Sequence, residues 1–317
     1  MKENIYRDWE IKDLTKEDIG KTITVSGWIE NIRDHGGVLF LDLRDTTDTL
    51  QIVSNDDAMF AHLSKESVIK VSGVIRHRSE ETYNPKLKTG EIELLVSSLE
   101  VLSRSLSVLP FDIRTSKKVS EDTRLKYRYL DLRNKEVQKN FKLRSDVLHF
   151  LRNKMYDLGF IEVQTPILTA SSPEGARDFV VPSRNFKGKF YALPQAPQIY
   201  KELLMVGGIS KYFQIAPCFR DEDARRDRTL EFYQLDMEMS YVTEEDVLSL
   251  GEDVFYDVFT KFSEKEVSPK PFRRLTYKEA MDNYGTDKPD LRNPLLIKDI
   301  TNILKDTTFK KVILRLF

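Results

Sequence analysis

Two stretches with a strand-like pattern flank a short charged segment, and this arrangement constrains the fold more than any other feature of the sequence. Residues 212–216 and 232–241 are rich in apolar residues, whereas residues 219–231 between them are mostly charged. Two such runs joined by a polar loop predict an antiparallel β-hairpin.

The polar residues at the ends of the predicted strands suggest a binding surface. Because strand side chains alternate between faces, Arg220 and Glu222 are expected to share one face, as are Phe232, Gln234 and Asp236. A guanidinium can hold a phosphate, a ring can stack on a base, and carboxylates can hold a metal or an ammonium group. This set suits a nucleoside triphosphate beside an amino compound, although a solvated, salt-bridged hairpin would have the same composition.

The spacing of these residues resembles motif 2 of the class II aminoacyl-tRNA synthetases. In that motif an arginine and a glutamate precede a loop, and an arginine, an aromatic residue and an aspartate follow it. The matching positions are Phe219, Arg220, Glu222, Arg228, Phe232 and Asp236.

The composition limits the remaining classes of function. At 317 residues the chain is long enough for two domains. A net charge of −1 gives no global attraction to nucleic acid, so any such site has to be a local basic patch. Cys218 is the only cysteine and the four histidines are scattered, so the sequence gives no confident metal site. The sequence has neither an apolar leader nor a long apolar run, and we expect a cytoplasmic protein that does not enter a membrane.

Repeated short strand patterns in the first third of the chain predict a small barrel. Glycines separate five such segments, at 22–29, 38–44, 50–53, 68–76 and 91–96, and a short helix is expected at 56–64. This pattern fits an OB-fold, which binds single-stranded nucleic acid in a basic groove with aromatic side chains. Arg33, Phe40, Arg44 and Gln51 would lie at that groove, although Phe40 could equally belong to the core.

The segment 26–45 also resembles the anticodon-binding domain of bacterial-type aspartyl-tRNA synthetases. The resemblance implies that Arg33, Phe40 and Gln51 meet the anticodon bases of tRNA(Asp), and that Asn84 and Glu93 approach them.

The expected architecture is a β barrel (OB-fold) followed by an α+β class II synthetase catalytic domain with a mainly antiparallel sheet. Residues 103–135 lose periodicity, and the basic, aromatic stretch 123–133 is either a packed linker helix or a contact to the tRNA backbone. The expected domains are 1–104 for anticodon binding, 105–135 as a hinge, 136–288 for catalysis and 289–317 for the start of an insertion domain.

Two helices with an apolar stripe are predicted in the catalytic half. An apolar period from 141 to 158, then Gly159 and a strand at 160–163, resembles motif 1, the element through which class II synthetases form homodimers. The strand should lie at a sheet edge or end there, because Pro166 cannot donate to a ladder. A capping box at Thr243 opens the second helix, whose expected buried stripe is Val247, Leu250, Val254 and Val258.

Two further segments bear candidate substrate residues. The loop 171–184 could close over a substrate or be an ordinary surface loop, and the resemblance places Glu174 against a substrate ammonium. Pro197 is expected in the first turn of a helix that carries Gln198 and Lys201 on one face. In the resembled family this lysine holds the side-chain carboxylate of aspartate.

The resemblance implies aspartate activation with ATP and Mg²⁺, followed by transfer of aspartate to tRNA(Asp). Arg220 would bridge the aspartate carboxylate and the α-phosphate as the catalytic residue. The implied amino-acid-binding residues are Glu174, Gln198, Lys201, Arg220, Gln234 and Asp236. The implied ATP-binding residues are Arg220, Asp221, Glu222, Arg228, Thr229 and Phe232. Magnesium would bridge phosphate oxygens.

The sequence departs from the family at three points. Ala196 and Thr229 replace the serine and glutamine that are common there, and no motif 3 follows residue 292. The chain is therefore expected to be a truncated aspartate–tRNA ligase, less stable than a complete enzyme and prone to associate through open sheet edges. The alternatives are a catalytically incomplete anticodon-binding remnant and a related lysyl- or asparaginyl-tRNA synthetase.

Overall fold

The structure is a computed structural model that describes residues 4–34, 38–60, 62–172, 174–225 and 228–304. It divides into two compact units, residues 1–135 and 136–317. Part of the expected insertion domain, residues 305–317, lies outside the described residues, as do residues 1–3, 35–37, 61, 173 and 226–227.

The first unit contains a closed five-stranded barrel in the order β1-β2-β3-β5-β4. Its strands are β1 (Thr22–Asp34), β2 (Leu39–Arg44), β3 (Thr49–Ser54), β4 (Val68–His77) and β5 (Ile92–Ser103). The β3–β5 pair is parallel and the other pairs are antiparallel. A Cβ at Gly73 would lie 2.1 Å from the carbonyl oxygen of Leu95, so only glycine allows this close approach of β4 and β5. The predicted OB-type barrel is confirmed.

Alternating burial along the strands fills the barrel with aliphatic side chains. Leu41 and Leu43 of β2 are fully buried in this core, whereas Phe40 is only half-buried and lies outside it. The expected helix at 56–64 is a single 3-10 turn, Asp57–Phe60. Two short helices, α1 (Glu121–Lys126) and α2 (Arg128–Asp131), follow the barrel, so the stretch 123–133 is largely helical.

The second unit is built on a three-stranded sheet in the order β10-β9-β6. The predicted hairpin is confirmed, since β9 (Lys211–Phe219) and β10 (Glu231–Met239) pair antiparallel. As expected, the short strand β6 (Ile161–Glu162) lies at an edge, where it pairs parallel with β9. A separate ribbon is formed by β7 (Val180–Pro182) and β8 (Phe190–Ala192).

The helices of this unit are α3 (Lys135–Asp157), α4 (Gln198–Val206), α5 (Glu244–Phe262), α6 (Tyr277–Tyr284) and α7 (Thr301–Leu304). Met155 of α3 and Val254 of α5 pack with Phe160 and Phe213 in the core of the unit. The capping box at Thr243 is confirmed. Of the expected buried stripe, Val254 is buried and Leu250 packs against the core cluster. The expected burial of Val247 is wrong: this residue is in the first turn of α5, outside the core cluster, and is 45% exposed.

Candidate functional site

The hairpin presents two faces of opposite character. The pairing places Phe213 opposite Met237 on the face that packs against α3 and α5. The other face pairs Gln214 with Asp236 and Cys218 with Phe232. Phe232, Gln234 and Asp236 therefore share one face, as predicted. Arg220 and Glu222 do not share a strand face, because β9 ends at Phe219 and the Glu222 amide donates to the Arg220 carbonyl in a turn.

Lys201 of α4 lies over this polar face. Its ammonium group is 3.1 Å from Oδ1 of Asp236 and 3.2 Å from Oε2 of Glu238. The side chains of Lys201 and Asp236 are only 12% and 9% exposed. The sequence therefore brings together two predicted substrate residues that are 35 positions apart.

Burial affects the two partners differently. Burial raises the pKa of Asp236 above its ordinary value, and the attraction of Lys201 only partly opposes this. For Lys201, burial lowers the pKa, but the two neighbouring carboxylates outweigh it and the pKa is raised. The two carboxylates thus favour the charged form of Lys201, whereas burial disfavours the charged form of Asp236, which a further cation would stabilise.

Two buried polar atoms at this site have no hydrogen-bond partner among the described residues, Oδ2 of Asp236 and Nε of Arg220. The Tyr212 hydroxyl beside Asp236 donates its proton to Oε1 of Gln214 at 3.1 Å, and this oxygen also accepts from Thr165. An acceptor and a donor left unpaired in a buried site are costly unless a ligand satisfies them. The pair fits a ligand with both an ammonium and an anionic oxygen.

Arg220 and Phe232 are also adjacent. The Arg220 guanidinium lies 5.0 Å from the centroid of the Phe232 ring, within range of a cation–π contact. Next to them, the Cys218 thiol is 3.4 Å from Oε1 of Gln234, and burial raises the pKa of the thiol to about 11. Cys218 is therefore a neutral, buried neighbour of the site.

Glu174 is exposed and lies within electrostatic range of the same cluster. Burial raises its pKa, and Arg220 and Lys201 act in the opposite direction. The segment after Glu174 is attached to the hairpin, since the Asp221 amide donates to the Arg177 carbonyl at 3.0 Å. Glu174, Lys201, Arg220 and Asp236 thus form one electrostatic cluster.

The remaining predicted residues of this site contact other partners. Gln198, directly after the helix-capping Pro197, donates to Glu202 rather than to the cluster. Pro197 was expected in the first turn of the helix, but it lies directly before the helix. Arg228 lies 3.8 Å from Glu222 across the hairpin loop, and the Thr229 hydroxyl donates to the Glu231 carbonyl.

The barrel carries a second polar site. Arg33, Phe40, Gln51 and Asn84 line one cavity of about 490 Å³. Arg33 donates to Asp42 at 2.7 Å and to Gln51 at 3.3 Å, and Gln51 in turn donates to Glu93 at 2.7 Å. The five predicted anticodon residues therefore lie together, with Glu93 buried beneath the others.

Sequence reasoning missed one residue of this groove and misplaced another. Arg78 lines the cavity, and its Nη2 is buried without a hydrogen-bond partner, while Nε and Nη1 donate to the carbonyls of Ile92 and Thr82. Arg78 directly follows β4 and precedes the loop that carries Asn84, and this position could have indicated a residue of the groove. Arg44 does not line the groove but is buried, because its guanidinium pairs with Glu66 at 2.9 Å and with Glu30 at 3.4 Å.

Within the described ranges, no group of three or more His, Cys, Asp or Glu side chains could hold a metal ion. Within the same ranges, no helix has the length and apolar character needed to cross a membrane.

Comparisons with known proteins match both units. The family of class II tRNA synthetases (D, K and N) matches residues 120–311, and the OB-fold nucleic acid binding domain matches residues 23–102. The chain is 53% identical to the aspartate–tRNA(Asp/Asn) ligase of Wolbachia pipientis from Culex pipiens, over 96% of this chain and 54% of that protein. It is 52% identical to the ligase of the same name from Ehrlichia ruminantium strain Welgevonden, over 97% of this chain and 53% of that protein. The chain thus spans about half the length of these curated relatives.

Solved structures agree on the fold. The chain is similar to the aspartyl-tRNA synthetase of Entamoeba histolytica, with a TM-score of 0.69 and 25% identity over 86% of this chain and 62% of that one. The chain is also similar to the asparaginyl-tRNA synthetase of Pyrococcus horikoshii, solved with asparaginyl-adenylate. The TM-score is 0.72 and the identity 24%, over 89% of this chain and 67% of that one. The family match covers more than half of the sequence, and the chain therefore belongs to the class II tRNA synthetases of the D, K and N group.

Proposed function

We propose that the protein to which this chain belongs is an aspartate–tRNA ligase, which activates L-aspartate with ATP and transfers it to the 3′ end of tRNA(Asp). The observation that carries the proposal is the cluster on the hairpin. One buried ammonium, from Lys201, lies between carboxylates, and burial disfavours the charged form of one of them, Asp236. A small zwitterion with one additional carboxylate complements both charges.

In the first step, the α-carboxylate of aspartate attacks the α-phosphorus of ATP. A bond forms between the carboxylate oxygen and phosphorus, the bond to the bridging oxygen breaks, and pyrophosphate leaves. Arg220, with its unpaired Nε, is placed to hold the carboxylate and the α-phosphate together as charge develops. Phe232 next to it offers a ring for the adenine. The Mg²⁺ would arrive on the phosphate oxygens of ATP, and we assign it no protein ligand.

In the same proposal, Lys201 binds the side-chain carboxylate of aspartate, while Asp236, Glu174 and Gln234 surround its ammonium group. The unfilled Oδ2 of Asp236 supports this assignment. In the second step, the terminal ribose hydroxyl of the tRNA attacks the aspartyl carbonyl carbon, and AMP and a proton leave.

The barrel groove would bind the anticodon. Its lining combines three arginines and three carboxylates with the rings of Phe40 and Tyr83, which could stack on single-stranded bases. Arg78 adds an unpaired buried donor that a base acceptor could fill. The relatives named above carry both tRNA(Asp) and tRNA(Asn) in their names, so charging of both tRNAs belongs to this proposal. A cytoplasmic homodimer, joined through the region of α3, completes it.

The test is amino-acid-dependent ATP–pyrophosphate exchange, measured on the protein from the complete gene with aspartate, asparagine and lysine. Exchange with aspartate alone is expected. Exchange with asparagine or lysine would instead identify the enzyme as an asparaginyl- or lysyl-tRNA synthetase.

A second candidate is a protein that binds tRNA through its anticodon but has no ligase activity. The complete barrel with its own groove favours it, since this unit needs none of the catalytic residues. Absence of exchange with any amino acid, together with tRNA binding that Arg33→Ala and Phe40→Ala abolish, would support it. Binding unchanged by both substitutions would remove the groove from either proposal.

A further inference from the structure

Gln195 lies directly before α4 and is almost completely buried, with 2% of its surface exposed. Its side-chain amide pairs with both backbone groups of Ala176. The Ala176 amide donates to Oε1 of Gln195 at 3.2 Å, and Nε2 of Gln195 donates to the Ala176 carbonyl at 2.9 Å. A primary amide can satisfy both the N–H and the C=O of one residue in this way, much as a neighbouring strand would.

The same amide makes a third contact. Nε2 of Gln195 also donates to Oδ1 of Asp178, whose second carboxylate oxygen accepts from the Ser171 hydroxyl. Gln195 is thus bonded to the segment on the C-terminal side of Glu174 at two positions, Ala176 and Asp178. Among the described residues, no other side chain contacts the backbone of Ala176 by a hydrogen bond.

These contacts determine where Glu174 lies. Gly175 has a φ of +103°, a backbone conformation that favours glycine, and it turns the chain between Glu174 and Ala176. Glu174 itself has few fixed contacts of its own, yet it lies within the electrostatic range of Arg220, Lys201 and Asp236. Its position therefore depends on the attachment of the residues that follow it.

We infer that Gln195 is a positioning residue that fixes the segment 174–178 against the substrate cluster, so that Glu174 can meet the ammonium group of the amino acid. The inference rests on the proposed function for the identity of the substrate. The attachment of the segment itself rests only on the hydrogen bonds of Gln195. Neither the predicted binding residues nor the departures at Ala196 and Thr229 include this role.

The test compares Gln195→Met, which keeps the volume and removes the amide, with Gln195→Glu, which keeps an acceptor but loses the donor and repels Asp178. Lys187→Met, in an exposed position between β7 and β8, is the control. Hydrogen–deuterium exchange of the Ala176 and Asp221 amides reports the attachment. The KM values for aspartate and ATP, measured by pyrophosphate exchange on the protein from the complete gene, report its consequence.

Loss of two or three hydrogen bonds is expected to speed exchange of the Ala176 amide by about 10-fold to 100-fold in both Gln195 variants. The KM for aspartate should rise by about 10-fold, on the same reasoning, while the KM for ATP changes little. The double variant Gln195→Glu with Asp178→Asn restores a donor–acceptor pair with the roles exchanged, and it should recover part of both effects. Simple misfolding would not be rescued in this way.

Unchanged exchange of the Ala176 amide in Gln195→Met would overturn the inference, as would an equal rise of both KM values. If the unsubstituted protein shows no aspartate-dependent activity, the proposed function fails. In that case faster exchange of the Ala176 amide in both variants would still support the attachment by Gln195, and unchanged exchange would overturn it.

Discussion

Replacement of Lys201 by methionine should remove most of the affinity for aspartate. The Lys201 ammonium is 3.1 Å from Asp236, and both side chains are about nine-tenths buried, so solvent screens their charges little. Truncation of one partner of a buried, hydrogen-bonded charge pair costs about 2–5 kcal/mol. In the variant, Asp236 and Glu238 remain without the ammonium group between them. We therefore expect a loss of about 3 kcal/mol in the binding free energy of aspartate, which corresponds to a rise of about 100-fold in the KM for aspartate.

The variant should also change the pH dependence. Burial already raises the pKa of Asp236, and loss of the Lys201 ammonium removes the main opposing effect, so this pKa should rise further. Only the ionised carboxylate can bind the substrate ammonium. As the pH is lowered, aspartate binding should therefore begin to weaken at a higher pH in Lys201→Met than in the unsubstituted protein.

The assay is ATP–pyrophosphate exchange with varied aspartate and varied ATP, repeated over a series of pH values below and above neutrality. Lys187→Met, in an exposed position, is the matched control. A change of less than threefold in the KM for aspartate, or an equal rise in the KM for ATP, would refute the assignment of Lys201 to the amino acid.

Three further predictions concern the barrel. Glu66→Gln leaves the buried guanidinium of Arg44 without its closest carboxylate and should lower the free energy of unfolding by about 3 kcal/mol in urea titrations. The control Glu100→Gln breaks a more exposed pair with Lys70, at 3.8 Å, and should change this free energy by less than about 0.5 kcal/mol. Burial would raise the pKa of Asp45, but hydrogen bonds from the amides of residues 11, 47 and 48 and a side-chain hydroxyl lower it overall. Its contribution is therefore present above the ordinary pKa of 3.8 and lost as the pH falls, so Asp45→Asn should cost about 1–2 kcal/mol at pH 7, and the difference should shrink below about pH 4 in thermal melts. Arg78→Ala should weaken binding of tRNA(Asp) by about 10-fold or more in gel shifts if its free Nη2 meets a base, and equal binding would contradict this.

The barrel was largely predictable from the sequence because its signals are local. Glycine separators and alternating apolar residues predicted all five strands. The second half of β5, residues 97–103, escaped prediction because Ser97 and Ser98 are exposed and the segment is held by pairing with β4, a contact distant in sequence. The start of α3 escaped for a similar reason: residues 135–140 are mostly polar and show no apolar period.

The candidate site was predictable only where a motif has a fixed spacing. The positions of Arg220, Phe232 and Asp236 follow from the hairpin, and the resemblance added Glu174 and Lys201. Gln195 could not be inferred in this way, because a glutamine next to prolines shows no sign of its partner 19 positions earlier in the chain. The hydrogen bond from Gln198 to Glu202 could not be predicted either, because the sequence does not decide between Glu202 and the cluster as its partner.

The most direct test of the account is binding of a non-hydrolysable aspartyl-adenylate analogue to the protein from the complete gene, by calorimetry, beside the asparaginyl and lysyl analogues. The paired charges of Lys201 and Asp236 predict that the aspartyl analogue binds at least about 100-fold more tightly than the other two, since neither of those offers a side-chain carboxylate to the Lys201 ammonium. Equal affinity for the aspartyl and asparaginyl analogues would contradict the account, because the site would then not read the side-chain carboxylate.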